Sequence, residues 1–301
     1  MQDFREGNGQ MYKVFAFLKR NTDLLTHDEY RAGHVGFHCS HSRRLKGIRG
    51  YCVNVRANGD LRDSLGSLYD EITHGEPSGF AEQWDGFPQV YFDSRESWTK
   101  AATPEPTRAT KDGLSVDPDW RLDDGPYLFD PVPDGDGEFR SHHLHMEEHL
   151  VVPVQRPEYK LTKLMQFFRR SPTLSEAEFE SAVLGRYAQL TSRLAGLHGY
   201  TVNFRDSDQE SAMRDFFAPE AWGFSDEGRA QRQAFCALWD GAAELFFDTV
   251  GDFVVARTHP DLHAELRELE AELFEAVWYV EVDENVIVMP NRDPAPEFYY
   301  R

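Results

Sequence analysis

The chain has 301 residues, a length that suits two ordinary domains, and its 40% hydrophobic content is enough for two packed cores. A formal net charge of −20, spread along the sequence rather than gathered in a tail, repels nucleic acid and anionic membrane surfaces. No apolar run is long enough to span a bilayer and the first ten residues lack the apolar stretch of a signal peptide; with three scattered cysteines, Cys39, Cys52 and Cys236, reading as reduced thiols, a cytoplasmic protein without a nucleic-acid or membrane partner is expected.

Residues 11–20, rich in Val and Phe, read as a first strand. Thr26 and Glu29 stand as N-cap and N3 of a capping box that opens a helix. That helix runs to about Leu45, where Gly47 supplies the favoured terminator. Gly50-Tyr51-Cys52-Val53-Asn54 reads as a second strand and Val90-Tyr91-Phe92-Asp93 as a third, with Ser94 capping a second helix. HLHMEEHLVV, ending at Val152, is a fourth strand. Residues 56–83 read as a long connection; DDGPYLFDPVPDGDG, turn-rich and too polar for a core element, reads as a gate.

The same order returns from Lys160. A strand, a Ser175/Glu178 capping box, a helix to about Leu194, Gly199-Tyr200-Thr201-Val202-Asn203, Leu245-Phe246-Phe247-Asp248, a Thr249 cap and YVEVDENVIV follow in turn, with residues 205–238 as the matching connection. The copies are offset by 149 at Asn54/Asn203, by 155 at Trp84/Trp239 and by 136 at Val152/Val288. Self-similarity at this scale means one fold unit written twice. The expected architecture is α+β: tandem ferredoxin-like βαββαβ units, 11–153 and 158–290, packed sheet to sheet as an intrachain α+β barrel. Since one chain supplies both sheets, a monomer or a homodimer is expected.

The copies differ in chemistry. In the second helix-1 region Phe179, Val183, Tyr187, Leu190 and Leu194 form an apolar stripe; the matching residues are Tyr30, His34, His38, His41 and Leu45. On the fourth strand His143, His145, Glu147 and His149 share one face, where the sister copy has Tyr279, Glu281, Asp283 and Asn285. A single histidine on a helix is ordinarily a half-buried packing residue, and His142 reads as solvated. Three histidines at i, i+4 and i+7 each need a partner, so the first copy reads as active and the second as its scaffold.

Those helix residues carry a resemblance. Both halves resemble EthD-type domains of the dimeric α+β barrel superfamily, in which a helix-1 aromatic precedes a Trp, a His, an L-P-G-L-like end and an R-Y-V-Q-N-like strand. Tyr30 fits the aromatic, His38 falls on the family histidine, and Leu45-Lys46-Gly47-Ile48 and Arg49-Gly50-Tyr51-Cys52-Val53-Asn54 fit the end and the strand. His34 stands where the family has Trp, and the second copy has Val183 and Tyr187 in place of the Trp and His. The resemblance covers most of the chain and implies a barrel interior used as a small-molecule chamber. It is to a superfamily of cyclases, dehydratases, decarboxylases, isomerases and cofactor-free monooxygenases, some of whose barrels bind haem.

The leading expectation is a cofactor-independent lyase or cyclase acting by dehydration, decarboxylation or cyclisation on a small hydrophobic, aromatic or polyketide-like substrate. His38 is the candidate base, with His34 or His145 as acid or electrophile. Tyr51 and Asn54 could hydrogen-bond an oxyanion, and Phe37, Trp84, Tyr91, His41 and His143 complete the candidate substrate contacts. For Asn54 a strand-end hydrogen bond is the plainer role, since Asn203 repeats it. One alternative is a divalent-metal or haem enzyme, with His34 and His38 at chelating spacing and His143, His145 and Glu147 completing the site, although no H-E-x-x-H or C-x-x-C motif is present. The other is a non-catalytic small-molecule binding protein.

Overall fold

The computed structural model describes residues 11–43, 45, 47–102, 128–129, 142–216, 219–220 and 222–291. Eight strands, β1 (Met11–Phe17), β2 (Gly50–Arg56), β3 (Gln89–Phe92), β4 (His142–Val152), β5 (Thr162–Arg170), β6 (Gly199–Arg205), β7 (Gly241–Phe247) and β8 (Phe274–Val288), close into one barrel in the order β1-β3-β2-β8-β5-β7-β6-β4. Each half therefore contributes a ferredoxin-like sheet, β4-β1-β3-β2 and β8-β5-β7-β6, and the expected α+β barrel is the fold observed. All eight pairings are antiparallel, and the halves are sewn together at β2·β8 and β4·β6. Closure leaves no open sheet edge. Both seams carry a register shift near one end, at Tyr51/Cys52 and at Leu150/Val152, as expected where a strand must bend to change partner sheet.

Strand alternation sorts the side chains into two populations. Phe15, Phe17, Leu144, Met146, Met165, Phe167 and Trp278 point inward, while Val14, Ala16, Tyr51, Val53, Phe92 and, in the second half, Leu164, Phe168, Tyr200, Val202 and Leu245 point outward beneath helices. The interior is packed, in agreement with the width of an eight-stranded barrel. One end is aromatic. The other holds Lys13, Lys163, Glu148, Glu244 and Glu284, joined by ion pairs of 2.6 Å (Lys13–Glu148), 2.5 Å (Lys13–Glu244), 2.5 Å (Lys163–Glu244) and 3.1 Å (Lys163–Glu284), with Arg156 capping Glu284. The small-molecule chamber expected inside the barrel is thus occupied by the protein's own side chains.

The helices correct several sequence expectations. The first helical region is α1 (His27–Gly33), a π-helical turn (His34–His38) and α2 (Cys39–Ser42), and its counterpart is Glu176–Ala182, a π turn at Val183–Tyr187, and Ala188–Thr191. Both end a turn short of the expected Leu45 and Leu194, and both capping boxes form. Residues 56–83, read as a loop, hold α3 (Leu61–Leu65), α4 (Ser67–Ile72) and α5 (Phe80–Gln83). Residues 205–238 likewise contain helices at Gln209–Phe216 and Asp226–Cys236. Phe80, Trp84, Phe235 and Trp239 from these connections plug the aromatic end of the barrel. The Gly/Pro/Asp-rich insertion lies outside the described residues except for Leu128 and Phe129. These two are 7% and 4% exposed, so that part of a segment read as too polar for the core belongs to it.

Candidate functional site

The sequence expectation gathered its candidate residues into one chamber; the barrel wall divides them. Asn54, Trp84 and Tyr91 lie inside. Asn54 donates to the Phe87 carbonyl at 2.8 Å and accepts from Lys163 Nζ at 3.1 Å, while Asn203 donates to the Ala242 carbonyl at 3.0 Å. The repeated strand-end bond is thus the role observed for both. Tyr91 donates to Gln89 Oε1 at 2.9 Å, and Lys13 Nζ sits 4.7 Å over its ring. Trp84 belongs to the aromatic plug.

On the other side of the wall, between the first sheet and its helices, His34, His38, His143 and Tyr51 come together in one layer. The π turn sets the two helix histidines with ring centroids 5.1 Å apart, edge to face. Phe129 contacts both, at 5.6 Å from His34 and 5.1 Å from His38. It is held there by an isolated bridge to Arg20 and by the Asn21 amide, which donates to the Leu128 carbonyl at 2.9 Å. Gly33 makes this docking possible, since a Cβ there would meet Leu128 at 2.6 Å. The hydroxyl of buried Tyr30 lies 3.0 Å from His34 Nδ1, a hydrogen bond. Gly86, of the Trp84-Asp85-Gly86 motif, leaves room for that hydroxyl, as a Cβ would fall 2.4 Å from it.

The electrostatics favour uncharged imidazoles at His34 and His143. Burial, reinforced by His38, drives the His34 pKa well below the ordinary histidine value. Burial, then His142 and His38, holds His143 at about 3. Burial also raises the Tyr30 hydroxyl well above its usual range, so it keeps its proton. The second half replaces the whole arrangement. Ala16 pairs with His143 in the β1–β4 register, and Gln166 pairs with Tyr279 in the matching β5–β8 register. There Gln166 donates to Tyr187 (2.6 Å) and Tyr279 (2.7 Å), Tyr187 donates to Glu270 (3.0 Å), and Arg257 pairs with Glu270 at 2.5 Å. A hydrogen-bond network fills the place where the first half has histidines.

The remaining candidates lie apart. His145 shares the outward face of β4 but packs edge-on against Tyr12 at 5.0 Å, and both its ring nitrogens are buried without a hydrogen bond to any described residue. Burial and then Arg95 hold it at about 3 against the opposing pull of Asp208. Phe37 is 59% exposed. The side chain of His41 lies outside the described residues. His142, read as solvated, stacks on Phe235 at 4.2 Å. Sequence reasoning missed Phe129 and the part played by the Tyr30 hydroxyl. The signal for Phe129 was the apolar triplet Tyr127-Leu128-Phe129 set between Pro126 and Pro131. Among the described residues no three His, Cys, Asp or Glu side chains converge as a metal-ion site, and no helix is long and apolar enough to cross a membrane.

Comparison with solved structures returns neighbours of very low identity. A candidate monooxygenase from Fusobacterium nucleatum subsp. nucleatum is 5% identical with a TM-score of 0.49, covering 94% of this chain and 96% of that one. An anthrone oxidase-like protein is 8% identical with a TM-score of 0.48, covering 98% and 99%. A variant of chlorite dismutase from Candidatus Nitrospira defluvii is 10% identical with a TM-score of 0.39, covering 92% of each chain. No curated protein matches the chain. The expected His38/His34/His145 acid–base constellation is not assembled on one site. The expectation of a cofactor-independent lyase or cyclase, which was built on that constellation, is corrected with it, and so is the expected lack of a cofactor. The EthD domain model matches residues 171–276, just over a third of the chain and wholly within the second half, so the likeness to that family is established there and not for the whole chain.

Proposed function

We propose that this chain is a cofactor-dependent enzyme acting on a small apolar molecule, with its reaction centre on the helix-covered face of the first sheet. In this reading the half spanning 11–153 is active and the half spanning 158–290 is its scaffold. The observation that carries it is the gathering of His34 and His38 against Phe129, with His143 close enough to feel His38, where the second half has Val183, Tyr187 and Tyr279. Neutral imidazole is the metal-ligating form of histidine. The donor set does not fit a bare ion held by three protein ligands. A group such as haem would need a single imidazole from the protein, a smaller demand on this donor set. His38, half-buried at the end of the π turn, is the side chain to provide it, with Phe129 and Tyr30 as aromatic walls. Haem, when bound, supplies redox and oxygen chemistry. The chain's own residues exclude water through Leu128 and Phe129 and orient the bound molecule through His34 and His143.

Titration of the purified protein with hemin tests this. The expected result is a saturable, one-to-one shift of the Soret band that His38→Ala abolishes and His259→Ala, at an exposed position, leaves intact. A wild-type spectrum indistinguishable from free hemin would end the haem reading.

A further inference from the structure

We infer that Tyr30 locks His34 in the Nε2–H tautomer, making His34 a fixed hydrogen-bond donor to the bound molecule and leaving ligation to its neighbour. The donor inventory gives the direction of the bond. Tyr30 is fully buried, and among the described residues the one hydrogen bond of its hydroxyl is the 3.0 Å contact with His34 Nδ1. A phenol has a single proton to donate, and here it has a single acceptor. Were Nδ1 protonated instead, the hydroxyl oxygen would accept from it and the phenol proton would be left buried without a partner among the described residues, the costly outcome for a polar group. Tyr30 therefore donates, Nδ1 accepts, and the remaining ring proton sits on Nε2. That nitrogen, on the edge of the ring away from Tyr30, makes no hydrogen bond among the described residues.

The second half offers an internal control. Phe179 replaces Tyr30 and Val183 replaces His34. Hydroxyl and imidazole are lost together, as expected if the first serves the second. Packing alone would tolerate an aromatic without a hydroxyl, and Phe179 is just as buried at 2%. Tyr30 is thus a positioning residue, and His34 is the group it aims. An Nε2–H imidazole cannot ligate through Nε2, which assigns His34 to a carbonyl, phenolate or peroxide-like oxygen of the substrate rather than to a metal. The identity of that oxygen rests on the reaction centre proposed above; the tautomer does not.

Long-range proton–nitrogen correlation on histidine-labelled protein, with His34 assigned by loss of its signals in His34→Gln, reads the tautomer directly. The expected result is a bare Nδ1 and a protonated Nε2 in the wild type. In Tyr30→Phe both nitrogens should shift toward the averaged values of a free tautomeric mixture. A protonated Nδ1 in the wild type, or an unchanged pattern in Tyr30→Phe, overturns the inference. The wild-type spectrum decides even if the variant folds poorly. A locked Nε2–H tautomer in a protein that takes up no hemin would keep this inference and remove the proposed haem centre.

Discussion

Glu244 lies between Lys13 and Lys163 with almost no access to solvent, and its position shows how individual residues hold the barrel together. Burial alone would raise its carboxyl pKa, but the two lysines outweigh that and hold it well below the ordinary carboxylate range. Burial lowers the Lys163 pKa, yet Glu244 and Glu284 raise it above the usual ammonium value. Removing one member strands charges that water cannot reach. Glu244→Gln should therefore cost about 3–5 kcal/mol of stability in a urea melt; a loss under about 1 kcal/mol would mean the pairs are not formed. Acid should act in the same sense through the histidines. His142, His143 and His145 are held at about 3 in the folded protein against 6.5 for a free side chain. The unfolded chain thus binds protons that the folded one refuses, so stability is complete above pH 6.5 and falls as the pH drops toward 3. Each histidine contributes up to about 1.4 kcal/mol per pH unit. Glu244, with its depressed carboxyl, adds a loss of the same sign at lower pH. The urea midpoint should fall steadily below pH 6.5, and a flat midpoint between pH 6.5 and 5 would contradict this account.

At the scale of elements, the paired π turns matter most. Gly36 and Gly185 sit at equivalent places within them, at negative φ, and a Cβ at either meets nothing within 4 Å. Ala at each position should stabilise the fold by up to about 1 kcal/mol. Calorimetry checks this, and destabilisation would show that the turns need glycine. The capping boxes were legible in the sequence because Thr26/Glu29 and Ser175/Glu178 are local, stereotyped devices. The π turns were not, since a stripe at spacings of three and four over five residues reads alike in α- and π-helix. The short helices of 56–83 were hidden for a similar reason. Gly66, Gly75 and Gly79 break that segment into pieces too brief for a periodicity to show, and their stability comes from packing Phe80 and Trp84 into the barrel mouth.

At the scale of the molecule, the likeness of the two halves explains both what could be read and what could not. Strand order followed from the repeats, as did the contrast between the histidines of one half and the apolar stripe of the other. Which face of β4 turns inward did not follow, because Leu144/Met146/Glu148 and His143/His145/Glu147 are both mixed sets. The decisive clue was Glu148, repeated as Glu284, together with Lys13, repeated as Lys163. Charges kept at matching places in both copies mark the barrel interior, and with them the histidine face must lie outside. That division gives the molecule a packed charged core and an outer histidine layer where the proposed reaction centre lies. Hydrogen exchange with and without bound hemin tests this most directly. Protection confined to residues 27–42 and 142–149, with 176–191 and 277–285 unchanged, is the predicted result. Protection in the second half's helix, or spread evenly along the barrel strands, would contradict it.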